Sequence, residues 1–325
     1  MIALIATTLL AAAPAADLKS RIAAESGWVG YKVPIVAAAG VPCCFEWHGK
    51  AHRVGCDLDA RNWSFGDDDE HSLVAKSDTL AVYWHVDNGR ADKIRAVATT
   101  CPVDSAKPIR WLDEVTEADS IAALSDWTRE QAKAKDADDA LPALAYHAGK
   151  SATSALADLA APAHPESLRE QALFWLGQAR GAEGADIVER FAKTDADPEL
   201  RAKAIFALSQ SHADDPYLKI RAISHADTSA HVRSQALFWM AQMHDARARA
   251  DIIAAVRAER SEDALDEAVF ALSQLDGEAD AALIDVVRGD FPRKAKEKAL
   301  FWLGQSGSDQ AIAFLDEVLT KTVSR

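Results

Sequence analysis

A glutamine returns at almost constant spacing through the C-terminal two-thirds of this chain. It closes five similar helical segments, and successive glutamines lie 32, 32, 32 and 31 residues apart. A fixed period in this range is typical of stacked supersecondary units, because one short unit cannot bury its apolar face alone. The spacing therefore predicts an α-solenoid. The five residues are Gln178, Gln210, Gln242, Gln274 and Gln305.

Each repeat is predicted to be a pair of helices. In the copy at 171–178, apolar residues recur at helical spacing, and a second apolar helix follows near 185–193. A less regular copy at 140–160 brings the number to about six. We therefore expect a mainly α fold, with the repeats over 136–325 and a connecting helix over 116–135.

One position inside the first helix of the repeat alternates between large and small. Stacked copies interdigitate at constant spacing, so we expect each tryptophan to be received by the alanine of the next copy as core packing. A row of tryptophans lining a groove is the alternative. The residues in order are Ala143, Trp175, Ala207, Trp239, Ala271 and Trp302.

A phenylalanine row and the glutamine row accompany this alternation. The phenylalanines lie off the main core face, which predicts packing between copies or, alternatively, an exposed strip for a partner. The glutamines at the helix ends are expected to satisfy carbonyl groups in the turns. The phenylalanines are Phe174, Phe206, Phe238, Phe270 and Phe301.

Residues 16–115 have the pattern of a small β-rich domain. The segments 28–36 and 80–98 are rich in β-branched and aromatic residues. The second contains Asn88-Gly89, the strongest short-range signal for a hairpin turn. Alternation along the hairpin predicts one buried face. A second, shorter hairpin is expected to close through Gly49.

The cysteines indicate disulfides. Adjacent cysteines on a strand point to opposite faces, so one of the vicinal pair should meet each of the other two; which goes where stays open. A zinc site that adds His48 or His52 is the alternative, but it lacks the usual paired-cysteine spacing. The four residues are Cys43, Cys44, Cys56 and Cys101.

Residues 1–15 resemble a secretory signal peptide, because they are apolar and then rich in small residues. With the cysteines, this predicts an exported protein, periplasmic or extracellular. No later segment is apolar enough for stable membrane insertion. The net charge of −14 argues against a nucleic-acid partner, which needs a basic face.

The repeats resemble HEAT-like repeats, whose pattern of an apolar residue, arginine, two variable residues and alanine recurs here. Lys296 takes the arginine position in the last copy, and Leu265 departs from it. The whole chain resembles a family of exported bacterial HEAT-repeat proteins with a cysteine-bearing N-terminal domain, and HEAT repeats imply protein–protein binding. The matching arginines are Arg169, Arg201 and Arg233.

Most catalytic signatures are absent, including phosphate-binding loops, the serine-hydrolase elbow and the HExxH metal motif. The sequence thus predicts no enzyme, no cofactor and no metal. The expected function is a non-catalytic scaffold or adaptor in the bacterial envelope that holds a protein or peptide partner on an extended surface lined by the second helices. The alternative is a metal- or redox-dependent role of the N-terminal domain. A minor alternative is a bilin lyase, on repeat similarity alone.

Overall fold

The protein is mainly helical, with a small N-terminal sheet region. The computed structural model describes residues 17–36, 43–47, 51–60, 65–66, 77–131, 140–259 and 261–323. These residues form fourteen helices and nine strands, which confirms the mainly α class and the β-rich start. The predicted signal peptide and Gly49 lie outside the described residues.

The strands form three small sheets. The largest has the order β7-β6-β1-β9, the second β3-β2-β5, and β4 pairs with β8. The strands are β1 (Gly27–Pro34), β2 (Cys43–Trp47), β3 (Ala51–Val54), β4 (Cys56–Asp57), β5 (Phe65–Gly66), β6 (Thr79–Asp87), β7 (Arg90–Ala98), β8 (Val103–Asp104) and β9 (Arg110–Trp111).

The predicted hairpin is present as β6 and β7, which pair antiparallel. Its tip residues Asn88 and Gly89 have φ values of 51° and 73°. Both values lie in the left-handed region that glycine and asparagine tolerate best, which is why this dipeptide closes the turn.

Both faces of this sheet are buried, where the alternation predicted one. Val82 and Trp84 face the helices and join the main apolar core. Ala81 and Tyr83 face the other way, into a second cluster built around the four cysteines. The sequence pattern did not reveal this because the cover on the second face comes from distant segments, which the disulfides and backbone hydrogen bonds between residues 56–58 and 102–104 hold in place.

The disulfides join Cys43 to Cys101 and Cys44 to Cys56, so each of the vicinal cysteines meets a different partner, as predicted. Cys43 and Cys44 lie on β2, whose successive side chains point to opposite sides. The two bonds close loops of very different length, with sequence separations of 58 and 12 residues.

A short helix precedes the sheet, a longer one follows it, and six helical pairs complete the described chain. We call the two helices of each pair the first and second helix. The helices are α1 (Leu18–Ala23) and α2 (Glu117–Gln131), then α3 (Ala140–Tyr146) with α4 (Gly149–Leu159), α5 (Glu166–Ala179) with α6 (Gly181–Thr194), α7 (Pro198–Ser209) with α8 (Pro216–Ala226), α9 (Ala230–Gln242) with α10 (Ala248–Ala258), α11 (Glu262–Ser273) with α12 (Ala279–Arg288), and α13 (Arg293–Ser306) with α14 (Asp309–Val323).

Local sequence sets where several first helices begin. Asp197 accepts a hydrogen bond from the backbone N–H of Glu199, and Pro198 occupies the first helical turn of α7. Ser229 and Ser261 cap α9 and α11 in the same way. Each cap satisfies a backbone donor that the helix start leaves unpaired, and proline there loses nothing because it has no N–H.

The first helices pack on one another in chain order. Each of α5, α7, α9 and α11 contacts the first helix before it and the first helix after it, whereas neighbouring second helices touch far less. The apolar core runs without a break from the sheet through these pairs, across the boundary that the sequence placed at residue 115.

The first helices α5 and α7 approach each other closely at Gly177. A Cβ atom built at Gly177 would lie 2.4 Å from the carbonyl oxygen of Ala207 in the next first helix, whereas one built at Gly304, the same position of the last copy, meets nothing within 4 Å. We expect Gly177→Ala to lower the free energy of unfolding by about 1–3 kcal/mol through overpacking.

The matched change Gly304→Ala should instead raise it by up to about 1 kcal/mol, because alanine favours a helix over glycine. Chemical denaturation of both variants measures the difference. Equal effects at the two positions would contradict the close approach of α5 and α7.

A buried polar network joins the sheet to the first helical pair. The hydroxyl groups of Tyr31 and Ser120 share a hydrogen bond of 2.7 Å, and Ser120 shares another of 2.9 Å with Nε2 of His147. The indole of Trp84 donates to the Tyr31 hydroxyl at 3.2 Å. Burial, and to a smaller extent the charge of Arg180, lowers the pKa of His147 to about 4. This imidazole is therefore neutral, and its role is structural.

A candidate binding surface on the first helices

Aromatic rings form a continuous row across five successive first helices. Phe174 stacks on Phe206 with ring centres 5.9 Å apart, and Phe238 stacks on Phe270 at 6.0 Å. Tryptophan rings link these stacked pairs. We call the row the aromatic strip; its members are Phe174, Trp175, Phe206, Phe238, Trp239, Phe270, Phe301 and Trp302.

The aromatic strip is neither core nor free surface. Seven of its eight rings are half-buried, and Phe301 at the end is 54% exposed. The phenylalanines therefore pack between copies, and their rings stay partly exposed. Half-buried aromatic rings are held rigidly, which lowers the entropy cost of binding on them.

The tryptophans reach back to the preceding copy, which corrects the expected direction. Trp239 lies with its ring centre 4.7 Å from that of Phe206, and Trp302 lies 5.0 Å from Phe270. The copy they reach carries a buried alanine at the alternating position, such as Ala207. Which side of a first helix faces the preceding copy depends on how the copies pack, and residue spacing alone does not convey that.

The glutamine row follows the aromatic strip by one helical turn. The side-chain amides of Gln210 and Gln274 each donate to the hydroxyl oxygen of the preceding serine at 3.1 Å. The expectation that the amides bond to turn carbonyls is therefore not met at these two residues. Gln210 and Gln305 are exposed, and Gln178, Gln242 and Gln274 are partly exposed. The row thus presents amide donors and acceptors beside the rings.

The three arginines of the HEAT-like pattern, Arg169, Arg201 and Arg233, form ion pairs inside the protein. Arg169 pairs with Asp195, Arg201 with Asp227 at 2.8 Å, and Arg233 with Glu259 at 2.9 Å. Each acid lies 26 residues after its arginine, just past the second helix of the same copy. These charges are largely buried and neutralise one another, so each pair ties the first helix of a copy to the end of its second helix and offers little to a partner.

Leu265 stands where four other copies have an arginine or lysine, and the structure explains this replacement. The position 26 residues later holds Phe291 in place of an acid. Leu265 is 5% exposed and Phe291 8% exposed, and both belong to the main apolar core. An apolar pair thus replaces the ion pair in this copy, and no unpaired charge is left buried.

Among the described residues, no group of three or more His, Cys, Asp or Glu side chains is placed to hold a metal ion. In the same ranges no helix is long and apolar enough to cross a membrane. The four sulfurs are bonded to one another, so thiolate chemistry is not available to them in this state.

No family model and no curated protein matches this chain. Among solved structures, one similar chain comes from a study described as "Computational Design of Self-Assembling Cyclic Protein Homooligomers". It is 16% identical, the match covers 65% of this chain and 86% of that one, and the TM-score is 0.14. A likeness at that TM-score supports no conclusion about fold or function.

Proposed function

We propose that the helical pairs form a HEAT-like α-solenoid that serves as a non-catalytic scaffold or adaptor for a protein or peptide partner. The observation that carries the proposal is the aromatic strip, a continuous row of half-buried rings on neighbouring first helices. Consecutive packing of first helices supports the solenoid, because each copy contacts chiefly its neighbours.

The chemistry of this face suits a polypeptide. Aromatic rings receive apolar and cationic side chains, while side-chain amides pair with peptide N–H and C=O groups. Aromatic side chains are also enriched in the energetic centres of protein interfaces. The sequence alone had favoured the second helices as the binding face; the proposal moves it to the first helices because the rings lie there.

The compartment belongs to the same proposal. Two disulfides fit an exported protein in the bacterial envelope, periplasmic or extracellular, where such bonds persist. They also weigh against the alternative of a metal-dependent N-terminal domain, because cysteines bind metal ions as thiolates. The acidic chain, with a net charge of −14, favours a partner with positive charge.

Peptide selection against the full chain tests the proposal. Random peptides are panned, and the affinity of a selected peptide is measured for the wild type and for the double variant Phe238→Ala/Gln242→Ala. We expect the double variant to bind at least about tenfold more weakly, since losing an interface aromatic costs roughly 2 kcal/mol.

The control is Leu218→Ala, which removes an exposed apolar side chain, 46% exposed, from a second helix. It should leave the affinity unchanged, with circular dichroism confirming that both variants fold. Loss of binding in the control alone would place the surface on the second helices, and a selection that yields no binder would remove the proposed function.

A further inference from the structure

The turns of successive copies meet, and at two of these junctions an arginine of this chain bridges the two copies. The first is Arg180, which follows α5 and reaches back to the turn between α3 and α4. It donates to the carbonyl oxygen of Ala145 at 2.9 Å and also to the carbonyl oxygens of His147 and Gly149. A guanidinium therefore fills the space between the first and second copies.

The second bridge is Arg247, which precedes α10 and reaches back to the turn before α8. It donates to both carboxylate oxygens of Asp215, at 2.8 and 2.9 Å, and lies 4.5 Å from the centre of the Tyr217 ring. Hydrogen bonds from Arg247 to Asp245 and Asp215 raise the pKa of its guanidinium. Here too, between the third and fourth copies, a guanidinium occupies the junction.

At the third junction, between the fifth and sixth copies, none of the described residues that line the space is an arginine. The step of 63 residues that carries Trp239 to Trp302 also carries Arg247 to Gln310. A cavity of about 380 Å³ lies there, lined in part by Gln274, Asp280, Trp302, Gln305 and Gln310. Its volume is at the lower end of the range for ligand pockets, about 300–1,000 Å³, which suits one long side chain.

The lining of this cavity matches a cation. Among the described residues that line it, Asp280 is the only charged one. Its carboxylate accepts a hydrogen bond from the Ser308 hydroxyl and forms no ion pair within the described chain. Trp302, Gln274 and Gln305 also line the cavity, and these residue types carry an indole ring and amide oxygens. A carboxylate, an indole face and amide acceptors together favour a planar group with several N–H donors.

We propose that this cavity binds a guanidinium group, supplied as an arginine side chain by the partner. The inference rests on the proposed function, because it assigns one anchoring residue of the polypeptide that the scaffold holds. Arginine is favoured over lysine for two reasons. Its flat fork donates to a carboxylate in pairs and stacks on an indole. This chain also places its own arginines at the two corresponding junctions.

The test uses the full chain labelled with ¹⁵N and a blocked amino acid, N-acetyl-L-arginine amide. Its binding is followed through the indole N–H signal of Trp302, assigned with Trp302→Phe. The neutral probe N-acetyl-L-citrulline amide has the same shape. We expect a saturable shift with the arginine probe and binding at least about tenfold weaker with citrulline, since charged hydrogen bonds exceed neutral ones by that much.

Three variants complete the test. Asp280→Asn should weaken the arginine probe about tenfold. Gln310→Arg should abolish its binding, because the chain then fills its own cavity as Arg247 does. Asp290→Asn, an exposed carboxylate of the same copy outside the cavity, should change nothing. Equal affinity for the two probes, or no effect of Asp280→Asn, would overturn the inference.

The two proposals fail separately. If selected peptides bind the aromatic strip while the arginine probe produces no saturable shift, the cavity assignment is wrong and the scaffold function stands. If the probe binds as expected and no peptide binds, the cavity recognises a guanidinium group, but the scaffold function and the polypeptide partner as its source are wrong.

Discussion

Replacing Arg180 with alanine is expected to lower the free energy of unfolding by about 3–5 kcal/mol, the largest loss we expect from any single substitution in this chain. Arg180 is 8% exposed and donates to three backbone carbonyls and to the hydroxyl oxygen of Thr153 at 3.0 Å. Each buried acceptor left without a donor costs roughly 1–3 kcal/mol.

Urea denaturation of the purified variants measures this loss. The control is Arg190→Ala on α6, the second helix that follows Arg180; it removes an exposed arginine and should change stability by no more than about 0.5 kcal/mol. Arg180→Lys should be intermediate, because an ammonium has three donors and cannot span the same acceptors. A loss below about 1 kcal/mol for Arg180→Ala would show that water replaces the guanidinium there.

The second large effect is expected from the disulfides, and the two should differ. In the chain-entropy account, a cross-link stabilises more when it closes a longer loop. The separations of 58 and 12 residues correspond to about 4 kcal/mol for Cys43–Cys101 and about 3 kcal/mol for Cys44–Cys56. The paired changes Cys43→Ala/Cys101→Ala and Cys44→Ala/Cys56→Ala remove each bond without leaving a free thiol.

Denaturation under non-reducing conditions, with thiol titration to confirm that the remaining bond is intact, measures both losses. If removing the short loop costs more than removing the long one, loop entropy is not the main term. Packing in the cluster around the cysteines, which includes Trp28 and Leu58, would then dominate.

Features that depend on neighbouring residues were predicted well from the sequence. The Asn88-Gly89 turn depends on two backbone dihedrals, and the cap at Asp197 depends on three neighbouring residues, so each is specified within a few positions. The helical pairs follow from a period that repeats many times, which makes the pattern clear even where one copy is irregular. The division of the four cysteines also followed from strand geometry alone.

The sequence predicted only part of the candidate site. The aromatic and glutamine positions were singled out from the sequence, but their partial exposure and the direction of the tryptophans were not. The bridging arginines were missed, although an arginine two residues after Gln178 and another five after Gln242 were a signal that could have been followed. Their role depends on which turns meet, and sequence spacing does not state that.

The sequence by itself determined a mainly helical chain of paired helices after a disulfide-linked sheet region, because periodicity, turn residues and cysteines act over short distances or recur regularly. Only the tertiary structure decided that both faces of the sheet are buried, that Arg180 and Arg247 fill two junctions, and that the third junction is left open beside Asp280. Those outcomes depend on contacts between residues about 30 or more positions apart. Packing selects such contacts from many that the local pattern permits equally.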